Sequence, residues 1–506
     1  MQKCGSGSGG GLTRRSFAQA LAIPLTALRS AAAAAPPKLT VVVVVEQLRP
    51  DALEAQRGSL GEGGLRRLME GGAYYPDCRH LASTFPASTI ATLATGAWPS
   101  QHGIVADSWY DPGIRRAVRA SDEALLATTI AGETAASPKR RVFVVGMDGV
   151  SARLFAGTPQ ASLYWLDERG QFASRGAMPD WLAAYNRQKP IENLHDAHWM
   201  ALMARAGAPP LRILTYNAAH AEDFLSLYRA SPFAQMAQFE FLAELVLREQ
   251  LGQGSTSDFA CVLLGSTARL GYETGAYSPL MEQMILQLDR HVEFLLETLR
   301  RATGEGGFNL VLMGAHGAPP APLPDARPRM AVSGEALAQG IQKSLGTNGP
   351  KLEKYLYPFL YLEGSGGRDY AEPVRLAVGR AALAQPAVAG YYTAGGACTV
   401  AGEWSVRYRN SFHLHRSGDM MLSYRPDYVE EFGAGRGVSY GSLYNYDACV
   451  PLCFYGPQFR AGTIARTVES VDVAPTLARV LCVSTPSSAV GRVLTEALAE
   501  NVESKK

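Results

Sequence analysis

Leu39-Thr40-Val41-Val42-Val43-Val44-Val45 runs straight into Glu46-Gln47-Leu48-Arg49-Pro50-Asp51. The apolar, β-branched run is too short to cross a bilayer as a helix and suits a strand buried on both faces. Such a strand belongs inside a sheet covered by helices. Similar runs recur at Arg141 to Val145, Leu211 to Leu214, Phe259 to Leu264 and Asn309 to Met313. Between them lie helical patterns. The clearest, Pro279 to Arg301, opens on proline and sets Met284, Ile285, Leu288, Val292, Leu295 and Leu296 on one face. Strands alternating with amphipathic helices predict an α/β fold layered around a parallel or mixed sheet. Two stretches rich in Gly, Pro and aromatics, near 109–208 and 319–438, interrupt the alternation. They are expected to be cap insertions on the loop side of a single domain spanning 38–500.

Composition limits the function classes. A chain of 506 residues with 47% hydrophobic and 19% charged content is globular. Its formal net charge of +2 gives no strong field, and no dense basic run interleaved with aromatics marks a nucleic-acid surface. Nucleic acid is therefore not an expected partner. At the N-terminus, Thr13-Arg14-Arg15-Ser16-Phe17, the apolar stretch Ala18 to Leu28 and the small run Ala31 to Ala35 form a twin-arginine-like export signal over 1–35. Periplasmic or extracellular localisation follows as an expectation. No membrane span is expected in the mature chain, because no further apolar run reaches the required length. Seven scattered cysteines lack metal-ligand spacing; Cys449 and Cys453 sit in a strand-like run as ordinary small core residues.

The order of segments carries a resemblance. Val44 to Asp51, Thr84-Phe85-Pro86 leading to Thr95-Gly96 and His102-Gly103-Ile104, Ser278-Pro279 with Leu288-Asp289-Arg290, His316-Gly317, Arg416 to Asp419, Tyr446-Asp447 and Asp472 to Leu477 follow one another collinearly. Together they resemble the alkaline phosphatase superfamily, in its phosphomonoesterase and type I phosphodiesterase/nucleotide pyrophosphatase branch. The resemblance implies a three-layer α/β/α sandwich with a mostly parallel central sheet. It also implies two-zinc phosphoryl transfer, in which paired ions hold a Thr or Ser nucleophile and neutralise the phosphoryl oxygens.

Residue by residue, that chemistry is missing. One zinc of the family takes an Asp-x-x-x-His pair and a distant His, which fall here on Ala268, Tyr272 and Tyr440. The other takes a strand-end Asp, the nucleophile and an adjacent Asp-His pair, matching Glu46, Pro86, Ala315 and His316. Glu46 and His316 form at most a weak remnant site, short of the three protein ligands usual in catalytic zinc sites. No cofactor is expected, and at most one loosely held zinc ion. Pro86 cannot attack phosphorus. Thr84, Ser88 and Thr89 are the substitute nucleophiles, against an ordinary role in helix capping and solvation. The phosphate-clamping Lys-x-Arg pair of some relatives matches Asp148 and Val150, and a carboxylate there repels a dianion. An Asn found in relatives before Trp-Tyr-Asp is absent; Ala106-Asp107-Ser108 precedes Trp109-Tyr110.

His102 reads as turn structure, and His195 with His198 and His413 with His415 as weak metal spacings. Tyr272 and Tyr440 are candidates to fill the vacated cavity with rings. Three functions follow in order. The first is an exported pseudoenzyme kept as a binding or interaction module for an unidentified ligand or protein partner. The second is a metal-dependent phosphomonoester or phosphodiester hydrolase with a rebuilt site. The third is another enzyme using Asp148, Arg269 and Tyr440.

Overall fold

The computed structural model describes residues 37–175, 178–320, 330–364, 370–431 and 440–503. The twin-arginine stretch lies outside them. Pro36 to Lys506 form one compact unit. In chain order its sheet strands are β1 (Leu39–Val45), β2 (Ala73–Arg79), β3 (Val142–Gly146), β4 (Ser162–Leu166), β5 (Phe172–Arg175), β6 (Asp258–Leu264), β7 (Phe308–Gly314), β8 (Cys449–Tyr455), β9 (Gly462–Thr463) and β10 (Val468–Glu469). The principal helices are α1 (Pro86–Thr95), α2 (Gly149–Ala156), α3 (Pro232–Arg248), α4 (Ser266–Thr274), α5 (Pro279–Thr303) and α6 (Val473–Leu481).

The ten strands run in the order β9-β2-β8-β7-β1-β6-β3-β4-β5, with β10 beside β2. From β7 to β4 the pairing is parallel, while β5 and β8 run antiparallel to their neighbours. The valine run lies at the middle of this sheet and every one of its residues is buried. Its alternation divides the core. Val41, Val43 and Val45 face the layer of α3 and α5, with Leu242, Val246, Leu288 and Val292. Val42 and Val44 face the layer of α1, α2 and α6, with Ile90, Leu93, Leu154 and Leu477. Two apolar faces need two helical layers, and the three-layer α/β/α fold is the result.

Two expectations are corrected. The run Leu211 to Leu214 is not a strand of the central sheet. Arg212–Leu214 pairs instead with Ala197–Trp199 in a two-stranded hairpin, because only Leu214 of the three is buried while a central strand needs both faces covered. The stretch 109–208 is likewise not an insertion throughout, since β3, α2, β4 and β5 lie within it and belong to the main layers. Between 330 and 431, a separate four-stranded antiparallel sheet joins Leu352–Leu356, Phe359–Leu362, Met420–Tyr424 and Val388–Thr393. It meets the main body through aromatic pairs, Tyr361 on Tyr110 and Tyr357 on Phe85.

Register places the site. Val45 pairs with Leu264 on one side and Gly314 on the other, and Gly146 pairs with Leu263. Glu46, Gly265, Ala315 and Met147 are therefore the first residues past the carboxyl ends of four adjacent strands. In parallel α/β sheets this edge is where ligands bind.

Candidate functional site

A cleft of about 420 Å³ opens at that edge, lined by Glu46, Pro86, Ala87, Asp107, Arg119, Met147, Asp148, Val150, Ser151, Arg269, Tyr272 and Tyr440 among others. Seven residues singled out in the sequence thus come together: Glu46, Pro86, Asp148, Val150, Arg269, Tyr272 and Tyr440. Ala268, Ala315, His316, Thr84, Ser88 and Thr89 do not line it.

Each lining residue has a local cause. Glu46 is held by backbone, its N–H donating to Leu264 O at 3.0 Å and its carbonyl accepting from Thr267 Oγ1. Gln47 then takes φ of 55° and turns the chain away from the sheet. Pro86 is the first residue of α1, where a missing N–H costs nothing. The α1 N-terminus is satisfied from afar, as Ala87 N donates to Asp107 Oδ1 at 2.9 Å. Asp148 caps its own helix, α2, accepting from Val150 N at 3.0 Å and Ser151 N at 2.9 Å. Ala268 and Tyr272 are four apart on α4 and share a face. Tyr440 forms a hub, its ring 6.0 Å from Phe85, 5.3 Å from Tyr272 and 6.0 Å from His316. Gly441 permits this packing: at φ of 90°, a Cβ there would sit 2.6 Å from the Phe85 ring.

Two of the substitute nucleophiles, Thr84 and Thr89, are spent elsewhere and not as helix caps, while Ser88 Oγ is buried without a hydrogen-bond partner among the described residues. Thr84, Ser88 and Thr89 are all buried. Thr84 Oγ1 donates to Ser442 O at 3.0 Å, and Thr89 Oγ1 reaches the carbonyls of Phe85 and Pro86. The α1 cap residue is Phe85, with no side-chain bond. His102 fits its turn reading: Nδ1 accepts from Ile104 N at 3.1 Å and Nε2 meets Thr92 Oγ1 at 3.1 Å. His195 Nδ1 accepts from Tyr216 N at 2.9 Å at the base of the hairpin.

Electrostatics follow from three carboxyl groups sharing one cleft. Burial, reinforced by Asp148 and Asp107 and opposed by Arg269, pushes the Glu46 carboxyl up to about 8. Asp107 is also raised by burial, despite hydrogen bonds from Ala87 N and the Tyr440 hydroxyl. Burial raises both Tyr272 and Tyr440 as well, keeping them neutral phenols at any ordinary pH. His316 is buried, with Nδ1 2.8 Å from Gly317 O, and burial lowers it to about 4.

Whether such a set can hold metal is a question of donors. Among the described residues, no three His, Cys, Asp or Glu side chains converge on a metal position. Ligation by Glu46 would have to displace the proton that burial favours in the metal-free fold. Ala268 and Ala315 bring no donor. The residues present do not fit a pair of zinc ions.

The profile of the type I phosphodiesterase / nucleotide pyrophosphatase family matches residues 40–342. The chain belongs to that family, within the alkaline phosphatase superfamily. It is 25% identical to alkaline phosphatase PhoV of Synechococcus elongatus, covering 90% of this chain and 92% of that one. Alkaline phosphatase PafA of Elizabethkingia meningoseptica is 23% identical over 90% and 93% of the two chains. A solved variant of alkaline phosphatase PafA superimposes with a TM-score of 0.81 at 22% identity, covering 92% of this chain and 99% of that chain.

Against this family background, the sequence pattern separates into two parts. Its outlying carboxylates hold backbone: Asp289 accepts from Gly61 and Leu65, Asp419 from Leu362, Asp447 from Ser442, and Asp472 from Glu469 and Arg492. These are scaffold, and the chain keeps them. Sequence reasoning treated Asp107 only as the place of a missing Asn and gave Arg119 no role. The signal for Asp107 was its position just before Trp109-Tyr110; Arg119 carries none, being brought in by the hairpin pairing Ser108 with Arg119.

Proposed function

We propose that this family member is catalytically silent, and that its cleft and scaffold are retained as a binding or interaction module. The supporting observation is the cleft's inventory. Where two-metal phosphoryl transfer needs clustered anionic and imidazole donors around its nucleophile, the cleft offers no imidazole among the described residues. It offers Glu46, two tyrosines, a proline, two carboxylates that already cap helices, two arginines, Arg119 and Arg269, and the serines Ser108 and Ser151. A phosphate dianion entering it meets Asp107 and Asp148 at the N-termini of α1 and α2, ends that would otherwise attract it, with Arg119 and Arg269 as the opposing charges. Export by the Thr13–Phe17 signal to the periplasm or beyond is part of the same proposal, and rests on sequence alone.

The test is metal content by elemental analysis with a screen against aryl phosphate mono- and diesters. The proposal expects less than about one zinc per chain, far from the pair two-metal catalysis requires, and no turnover above buffer. Two zinc ions per chain, with ester cleavage removed by chelator and restored by zinc, would overturn it. The named relatives are alkaline phosphatases, so any activity found would be that of a phosphoric ester hydrolase. In the rebuilt-site alternative, metal-dependent turnover is abolished by both Glu46→Ala and His316→Ala.

A further inference from the structure

The hairpin that sequence reasoning took for a sheet strand has a construction of its own. Its arms, Ala197–Trp199 and Arg212–Leu214, pair with His198 opposite Ile213. Trp199 and Leu214 point inward and are buried in the core beneath α3 and α5. Leu211 N donates to Trp199 O at 2.8 Å and Asp196 N to Leu214 O at 2.7 Å, closing both ends of the ladder. Arg212 pairs with Glu273 at 3.0 Å, and Leu202 N donates to Gln283 Oε1 at 2.9 Å. The tip is folded: Ala204 N donates to Ala201 O, Ala208 N to Arg205 O, and Gly207 turns at φ of 82°.

This well-anchored element presents oily side chains to water. Met200, Leu202, Met203, Leu211 and Ile213 are exposed, Met203 by 78%. They make up five of the fourteen large apolar residues that stand exposed among the described residues. Scattered exposed hydrophobes need no explanation, but a third of them within one hairpin does. The charges point the same way. From Ala197 to Leu214 there is no carboxylate, while His198, Arg205 and Arg212 are present. Arg212 is engaged by Glu273, and Arg205 at the exposed tip has no ion pair among the described residues.

We propose that this hairpin is a membrane-surface anchor, whose tip from Met200 to Leu211 inserts into the interfacial region of an anionic lipid bilayer. Methionine and leucine side chains would enter the acyl boundary, and Arg205 would meet lipid phosphates at headgroup depth. The absence of carboxylates is what distinguishes a lipid surface from an arbitrary protein partner, because anionic lipid repels acids and attracts the free arginine. Trp199 and Leu214 keep the insertion from unravelling the body. The proposal stands apart from the reading of the cleft.

The experiment is flotation of the purified protein with vesicles of phosphatidylglycerol and phosphatidylethanolamine, compared with vesicles of phosphatidylcholine alone. The wild type should float with the anionic vesicles. Leu202→Glu combined with Met203→Glu should lose about tenfold or more of that binding, with an unchanged thermal melt, because both side chains are already solvent-exposed. Arg205→Glu should lose less and erase the preference for anionic lipid. Three results would overturn the proposal: no flotation of the wild type, equal flotation of the double variant, or a concentration-dependent dimer that the double variant dissolves without any vesicle binding. The last would assign the face to a second copy of the chain.

Discussion

Of the helices that begin at the cleft, α1 and α2 each end their N-terminus on an aspartate, but by different routes. Helix α2 is capped by its own neighbour Asp148, one residue before Gly149. Helix α1 is capped by Asp107, twenty residues on from Ala87 and from another segment. Both caps occupy a helix end whose positive potential suits an external anion. Both aspartates are part-exposed at the cleft; the distant one also accepts a hydrogen bond from Tyr440. A local cap serves its helix, whereas a distant cap also joins two parts of the fold.

That contrast sets a ranking of expected effects. Tyr440→Ala should be the most costly, removing the ring between Phe85, Tyr272 and His316 together with the bond to Asp107, at about 3 kcal/mol. Urea unfolding measures it, and a loss no larger than that of Asp148→Ala would remove Tyr440 from its place as hub. Asp107→Ala comes next at about 2 kcal/mol, since the Ala87 N–H and the Tyr440 hydroxyl would both lose their acceptor. Asp107→Asn should recover most of that loss, because an amide oxygen still accepts from Ala87. Asp148→Ala should cost about 1 kcal/mol or less, as only a local helix cap is lost. Equal costs for Asp107→Ala and Asp148→Ala would break the comparison.

The smallest effect is a pH slope. Glu46 holds its proton up to about 8 in the fold against an ordinary 4.5, so the folded state binds more protons between those values and stability falls as pH rises through them. His80, His102, His291 and His316, lowered by burial to about 3, 3, 4 and 4, act oppositely, as does His413, also lowered by burial. Their contribution rises with pH and is complete about one unit above the ordinary 6.5. Between pH 6.5 and 8 the comparison of Glu46→Gln with the wild type cancels the remaining histidine slope, and with it that of Glu430, raised by burial to about 7. Glu46→Gln should flatten the decline by about 1 kcal/mol over that interval, below the limit of about 1.4 kcal/mol per pH unit because the carboxyl borders an open cleft. Thermal melts across the interval check this; an unchanged slope would mean that Glu46 is ionised in the fold.

Much of this was legible because it is local. An unbroken β-branched strand demands cover on both faces, so Leu39 to Val45 implies the layered sheet before any contact is known. Pro86 at a helix start, Asp148 before Gly149 and the i, i+4 spacing of Ala268 and Tyr272 likewise follow from backbone geometry over a few residues. The run Leu211 to Leu214 misled for the same reason: a few apolar residues read alike in a central strand and in a hairpin arm, and only burial separates them.

What the sequence by itself determined is the fold and the identity of the residues at the strand ends, since hydrophobic periodicity and motif order survive without knowledge of contacts. What tertiary structure decided is how those residues meet: Asp107 closing α1, Tyr440 packed on His316, Arg119 brought to the cleft by a hairpin and an oily tip facing solvent. Contacts between segments far apart in the chain depend on packing and register, and no local pattern encodes them.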